Sequence, residues 1–304
     1  MRYPLDKELR ILQLNKLPLN PNIYPLFNAF MPVFFSCTSD KDVNVTYLKT
    51  PGYKCASLKT YVIEPKDAKE PLPCLVYFHG GAFMLKASGS HYSLAKEYSK
   101  RLPCKVVYVD YRLAPKHPFP IPACDCFETY KWVVQNTDIL GIDPNKIFIG
   151  GDSAGGNLAT AVTLMARDKN LSFPAALLLI YPATDRRMLT KSMQEYTDTP
   201  VWNARLNKMM WDAYLSTEPA KHVEYASPIE ATSFADFPPT YIEVAQYDCL
   251  RDEGILLYER LCEEGTLTEL HEISNACHGF ETMVNSKITR ACMSMRINWL
   301  SQFI

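Results

Sequence analysis

The sequence predicts an α/β protein: eight candidate strands interleaved with helices, with a cap over one end of the sheet. Three observations predict it. Short apolar runs alternate with longer stretches of helical pattern. Several of the later runs, residues 175–180 above all, are apolar throughout, as strands buried on both faces should be. No linker of flexible composition divides the 304 residues, so a single domain is expected over 1–304.

In chain order, the first feature is residues 17–39, which carry no charge. Pro18, Pro21, Pro25 and Pro32 leave too many unpaired backbone groups for a lipid-embedded helix, so no integral membrane segment is expected. The stretch reads as a Pro-broken apolar segment lying over the protein, lining a substrate entrance or packing as an arm. Strands are expected at 43–48, 58–64, 74–78, 105–109, 146–150, 176–181, 240–245 and 269–273. Helices are expected at 91–101, 123–136, 154–167, 204–215, 250–265 and 284–301. Residues 186–216 interrupt the alternation with Met188, Met193, Trp202, Met209, Met210 and Trp211. With an N-terminal arm of about 40 residues, this insertion is expected to form the cap.

Composition excludes several classes of protein. With 32 Lys+Arg against 33 Asp+Glu the net charge is −1, which argues against a nucleic-acid partner. Apolar residues at 47% and charged residues at 21% are ordinary for a folded globule. The first ten residues mix charge with apolar side chains and do not read as a secretory signal. The ten cysteines are therefore expected as thiols in a cytoplasmic protein, and Cys124 and Cys126 as packing residues rather than metal ligands. Glycine is scarce: 12 are present where average usage would give about 21. Seven of the 12 fall at 80, 81, 150, 151, 155, 156 and 279, so the chain spends its glycine in three short loops.

One of those loops is Gly151-Asp152-Ser153-Ala154-Gly155, between an expected strand and an expected helix. That context gives G-x-S-x-G its meaning: a tight turn lifts the serine hydroxyl above the sheet, at the positive end of a helix. Ser153 is the candidate nucleophile. A second loop, His79-Gly80-Gly81-Ala82-Phe83, directly follows the strand at 74–78. Its paired glycines let the backbone aim N–H groups at a point above the serine, so Gly80, Gly81 and Ala154 are candidate oxyanion donors.

These motifs, with 110–120 (DYRLAPKHPFP), 151–159 (GDSAGGNLA), 247–254 (YDCLRDEG) and 278–280 (HGF), resemble the hormone-sensitive-lipase family of α/β-hydrolases, of bacterial esterase and lipase type. The resemblance covers about two-thirds of the chain, in the family's order. It implies an α/β-hydrolase fold, with a mostly parallel eight-stranded sheet flanked by helices and a helical cap. It also implies serine esterase activity. Relatives often pair through sheet edges or a C-terminal helix, so a homodimer is a further expectation. Two departures stand out: Ala82 replaces the usual third glycine, and Gln246 stands where a glutamate is common.

A serine hydroxyl needs a positioned imidazole, and the imidazole needs a carboxylate. The order in this fold is Ser, acid, His, which leaves His271 and His278 as bases. His271 falls inside a strand, whereas His278 follows it in a small-residue loop, so His278 is preferred. Asp248, just past the strand at 240–245, is the expected acid, with Asp185 as runner-up. Asp252 and Glu253 are expected to serve the first turn of the next helix. The function expected is a carboxylesterase acting through an acyl-enzyme on small, short-chain esters, with no cofactor and no metal. Amide cleavage or deacetylation by the same triad, and ligand binding without catalysis, stay open as alternatives.

Overall fold

The computed structural model describes residues 3–69, 71–216 and 221–304, so the first two residues of the N-terminal arm lie outside it. Two short 3-10 helices (Arg10–Leu14 and Pro21–Ile23) lead into helix α1 (Tyr24–Phe34), then strands β1 (Val43–Gly52), β2 (Ala56–Pro65) and β3 (Leu72–Phe78). Helix α2 (Gly89–Arg101), β4 (Lys105–Asp110), α3 (Ile121–Gln135), α4 (Thr137–Leu140), β5 (Ile142–Asp152) and α5 (Ala154–Asp168) follow. Next come β6 (Ala176–Ile180), α6 (Lys191–Glu195), α7 (Ala204–Tyr214), β7 (Thr240–Tyr247), α8 (Arg251–Glu263), β8 (Thr268–Cys277) and α9 (Lys287–Leu300).

The eight strands form one sheet in the order β1-β2-β4-β3-β5-β6-β7-β8. β2 runs antiparallel to both β1 and β4, and every other pairing is parallel. The apolar strands supply two cores at once, because alternate side chains leave a strand on opposite faces. Cys74, Val76 and Phe78 of β3 join the core under α3, α5 and α8, while Leu75 and Tyr77 join the one under α2 and α9. This double cover is why β3, β4 and β6 read as continuous apolar runs.

All eight expected strands are present, and the six expected helices appear within a few residues of their expected ends. α1 differs from the reading of 17–39 as a Pro-broken segment. Pro25 stands in the first turn of the helix, where the N–H that proline lacks has no partner to lose. No helix among the described residues is long and apolar enough to cross a membrane.

Candidate active site

The C-terminal ends of the central parallel strands carry the site. β5 ends at Asp152, and Ser153 follows at φ 55°, ψ −119°, a backbone conformation that side chains rarely adopt. The turn is forced by close packing. A Cβ on Gly155 would lie 1.9 Å from the Phe78 carbonyl oxygen, so glycine there lets α5 start directly against β3. Ser153 occupies the N-cap position of α5, where serine ordinarily bonds a backbone N–H of its own helix, yet it makes no such bond. Its hydroxyl is committed elsewhere.

Ser153 Oγ lies 2.9 Å from His278 Nε2, and His278 Nδ1 lies 2.6 Å from Asp248 Oδ2. A carboxylate only accepts, so Nδ1 carries the proton of that bond, and in the neutral ring Nε2 is then the bare nitrogen facing the serine. Asp248 is fully buried and takes the Leu250 N–H on its other oxygen at 2.9 Å. Ser153 and His278 are each 6% exposed, enough for a substrate atom to reach them. The three expected residues thus converge from β5, the loop after β7 and the loop after β8.

Asp185, the runner-up acid, is turned away. Its carboxylate holds the Arg187 guanidinium at 2.8 and 3.0 Å. His271 sits in β8 against Tyr241, with its Nε2 3.2 Å from Glu269. Glu253 does not behave as a helix-end charge: its carboxyl crosses to the Thr184 N–H at 2.5 Å, and burial pushes it well above the usual carboxyl range. Asp252 accepts the Ser192 N–H at 2.7 Å. Cys249 and Cys277 are buried, and burial pushes the Cys277 thiol up to about 12.

Peptide geometry orients the candidate oxyanion donors. In a trans peptide the C=O and the following N–H point in opposite directions. The Tyr111 hydroxyl donates to the His79 carbonyl at 2.7 Å, which turns the Gly80 N–H the other way. His79 Nδ1 donates to the Gly80 carbonyl at 2.6 Å and does the same for the Gly81 N–H. Burial lowers the His79 imidazole to about 4, so it does this work as a neutral ring. Gly81 itself stands at φ 107°, open to glycine alone at little strain. Ala82, in place of the family's third glycine, takes φ 59°. At the first helical position, the Ala154 N–H is among those a helix leaves unpaired.

Several further residues surround the triad. Asp152 is buried beside the serine, with the Tyr77 hydroxyl at 3.0 Å and His91 Nε2 at 3.3 Å. Burial, the largest influence, would raise the Asp152 carboxyl, but His91, His79 and the Tyr77 hydroxyl together hold the group below its ordinary value. Burial likewise opposes charge on His91, and the Asp152 carboxylate raises it in spite of that. The Tyr181 ring packs on the His278 imidazole with centroids 4.5 Å apart, and its hydroxyl donates to Glu281 at 2.5 Å. Arg296, from α9, bridges Glu281 and Glu243 of β7 in the sheet interior. Gln246 accepts the Asn275 N–H at 2.7 Å, tying the end of β7 to the stretch that leads to His278.

A cavity of about 310 Å³ opens over Ser153 and His278. Leu17, Tyr24, Phe27, Met31, Val201 and Trp202 wall it, from the N-terminal arm and the 186–216 insertion. No group of three or more His, Cys, Asp or Glu that could hold a metal ion occurs among the described residues.

A family model described as alpha/beta hydrolase fold matches residues 75–282. The carboxylesterase NlhH of Mycobacterium tuberculosis is 32% identical over 287 residues, spanning 86% of this chain and 88% of that protein. An arylesterase of Saccharolobus solfataricus is 34% identical over 211 residues, 68% of this chain and 67% of that one. Among solved structures, a bacterial heroin esterase superposes with a TM-score of 0.90 at 31% identity, covering 99% of this chain and 98% of its own.

Proposed function

The chain belongs to the α/β-hydrolase family, and on that premise we propose that it is a serine carboxylesterase with Ser153 as nucleophile, His278 as base and Asp248 as the acid that orients it. The observation that carries this reading is the hydrogen-bond relay from Asp248 through His278 to Ser153, at 2.6 and 2.9 Å. His278 takes the serine proton as Oγ attacks the ester carbonyl. The N–H groups of Gly80, Gly81 and Ala154 stabilise the oxyanion that forms. His278 then gives the proton to the departing alcohol oxygen, leaving an acyl-serine and the free alcohol. Water, deprotonated by the same imidazole, attacks the acyl carbon, and collapse returns the proton to Ser153 and releases the acid.

The N-terminal arm and the 186–216 insertion act as the cap, a role supported by the walls they give the cavity. A space of about 310 Å³ lined largely by apolar side chains suits small, short-chain acyl esters. All ten cysteines are free thiols, which supports a cytoplasmic location. The purified protein should hydrolyse p-nitrophenyl butyrate, and Ser153→Ala should abolish turnover without changing the melting temperature. Equal turnover by the alanine variant overturns the assignment.

A further inference from the structure

A second cavity, of about 320 Å³, lies beside the active-site cavity and shares a wall with it. Asn15, Leu17 and Val201 line both. The wall is pinned by one long hydrogen bond, from the Val201 N–H to the Asn15 carbonyl at 3.3 Å. Val201 stands at φ 66°, where a β-branched residue is a steric outlier. Such strain persists only where the surroundings hold it, and it gathers at binding and switching positions. Here it keeps an isopropyl group against the residue that follows the base: a Cβ built on Gly279 would meet Val201 Cγ1 at 3.1 Å.

The two cavities differ in chemistry. The first is walled chiefly by aromatic and aliphatic side chains, whereas Gln13, Lys16, Thr197, Asp198, Asn203 and Arg205 line the second. The reaction itself sets which half of the substrate faces the shared wall. The oxyanion points to Gly80, Gly81 and Ala154, and the leaving oxygen must face His278 Nε2, from which it takes its proton. Val201, in contact range of the residue after His278, and Trp202, whose ring centroid is 6.1 Å from the imidazole, both stand next to the base and line the active-site cavity. An alcohol half that runs from His278 toward Val201 meets the polar lining of the second cavity beyond it.

We propose that the second cavity is the subsite for the alcohol half of the ester, that it takes a hydroxyl-bearing alcohol, and that Val201 sets the size of alcohol accepted. This inference rests on the esterase reading. The experiment compares 1-monobutyrin with n-propyl butyrate, which share the acyl group and the three-carbon alcohol skeleton and differ by two hydroxyls. One or two net hydrogen bonds predict a kcat/KM ratio of roughly tenfold in favour of monobutyrin. Arg205→Met, an exposed change, should bring that ratio toward one. Val201→Gly should raise kcat/KM for cyclohexyl butyrate relative to n-propyl butyrate several-fold. Val201→Ala serves if the glycine variant does not fold, and melting temperatures decide that. A wild-type ratio of one or less, a ratio indifferent to Arg205→Met, or a size preference indifferent to position 201 overturns the subsite. If p-nitrophenyl butyrate is not cleaved at all, the esterase reading itself has failed; if it is cleaved and the ratios are flat, only the subsite has.

Discussion

Arg296 offers the sharpest test of how the site is held. It is 1% exposed, and its guanidinium lies between the carboxylates of Glu243, on the strand leading to Asp248, and Glu281, three residues after His278. Arg296→Met leaves both carboxylates buried without that cation. Breaking a buried pair in this way costs about 3–5 kcal/mol, a large part of the roughly 5–15 kcal/mol that holds a protein folded. At about 2 °C per kcal/mol for a large domain, the melting temperature should fall by about 6–10 °C. The loss should also depend on pH. Burial raises the Glu281 carboxyl above its ordinary value, and Arg296 is the first influence working against that. A carboxyl with a raised folded pKa destabilises the fold as pH rises through that value and stops doing so once pH falls below the unfolded one. Without Arg296 the Glu281 carboxyl rises further, so the deficit should be largest near pH 8 and shrink toward pH 5. Thermal melts of both proteins at the two pH values check this. Replacing the whole network, as Glu243→Gln/Glu281→Gln/Arg296→Met, should recover most of the loss, because no unpaired charge then remains buried. A fall of less than about 2 °C at pH 8, where each kcal/mol moves the midpoint by about that much, would refute the reasoning. So would an equal fall at both pH values.

Asp248→Asn should lower kcat for p-nitrophenyl butyrate by about four orders of magnitude, because the amide favours the wrong imidazole tautomer. The melting temperature should change far less, and retention of a tenth of the activity would count against Asp248. Glu253→Gln should be tolerated, since the buried carboxyl is already held well above its usual range and the amide oxygen can still accept the Thr184 N–H. The wild type loses stability as pH rises through that raised value, so the Gln variant should melt higher than wild type at alkaline pH. Melts across pH 6–9 test this (a lower midpoint for the variant throughout contradicts it). Gly155→Ala places a methyl 1.9 Å from the Phe78 carbonyl and should abolish soluble expression or activity. A soluble, fully active Gly155→Ala protein would show that α5 need not start so close to β3.

What was legible in the sequence was whatever is encoded locally. β3, β4 and β6 announce themselves because a strand covered on both faces admits almost no polar residue. Ser153, Gly80 and Gly81 announce themselves because a sharp turn leaves a fixed spacing of small residues. α1 was hidden by a rule applied without position: a proline breaks a helix interior, but Pro25 lies in the first turn and Pro32 in the last. Asp248 and His278 needed the order of elements as well as their own neighbours. The remaining parts of the site have no local signature at all. Tyr181, Glu243, Glu281 and Arg296 come from β7, α9 and the segments that follow β6 and β8, and each looks ordinary in its own segment. The available clue was negative. Glu243 interrupts an otherwise apolar stretch, 241–245, in the buried part of its strand, so a cation had to be found for it. Lys287, Arg290 and Arg296 all sit on α9, and the sequence does not say which of its faces meets the sheet. His91 is a similar case: it reads as a residue in the first turn of α2, where its Nδ1 accepts the Ser88 N–H, and only the fold brings its other nitrogen to Asp152. A turn is specified by its own residues, and its spacing survives in the sequence. A buried charge is specified by its partner, and the partner is supplied by topology.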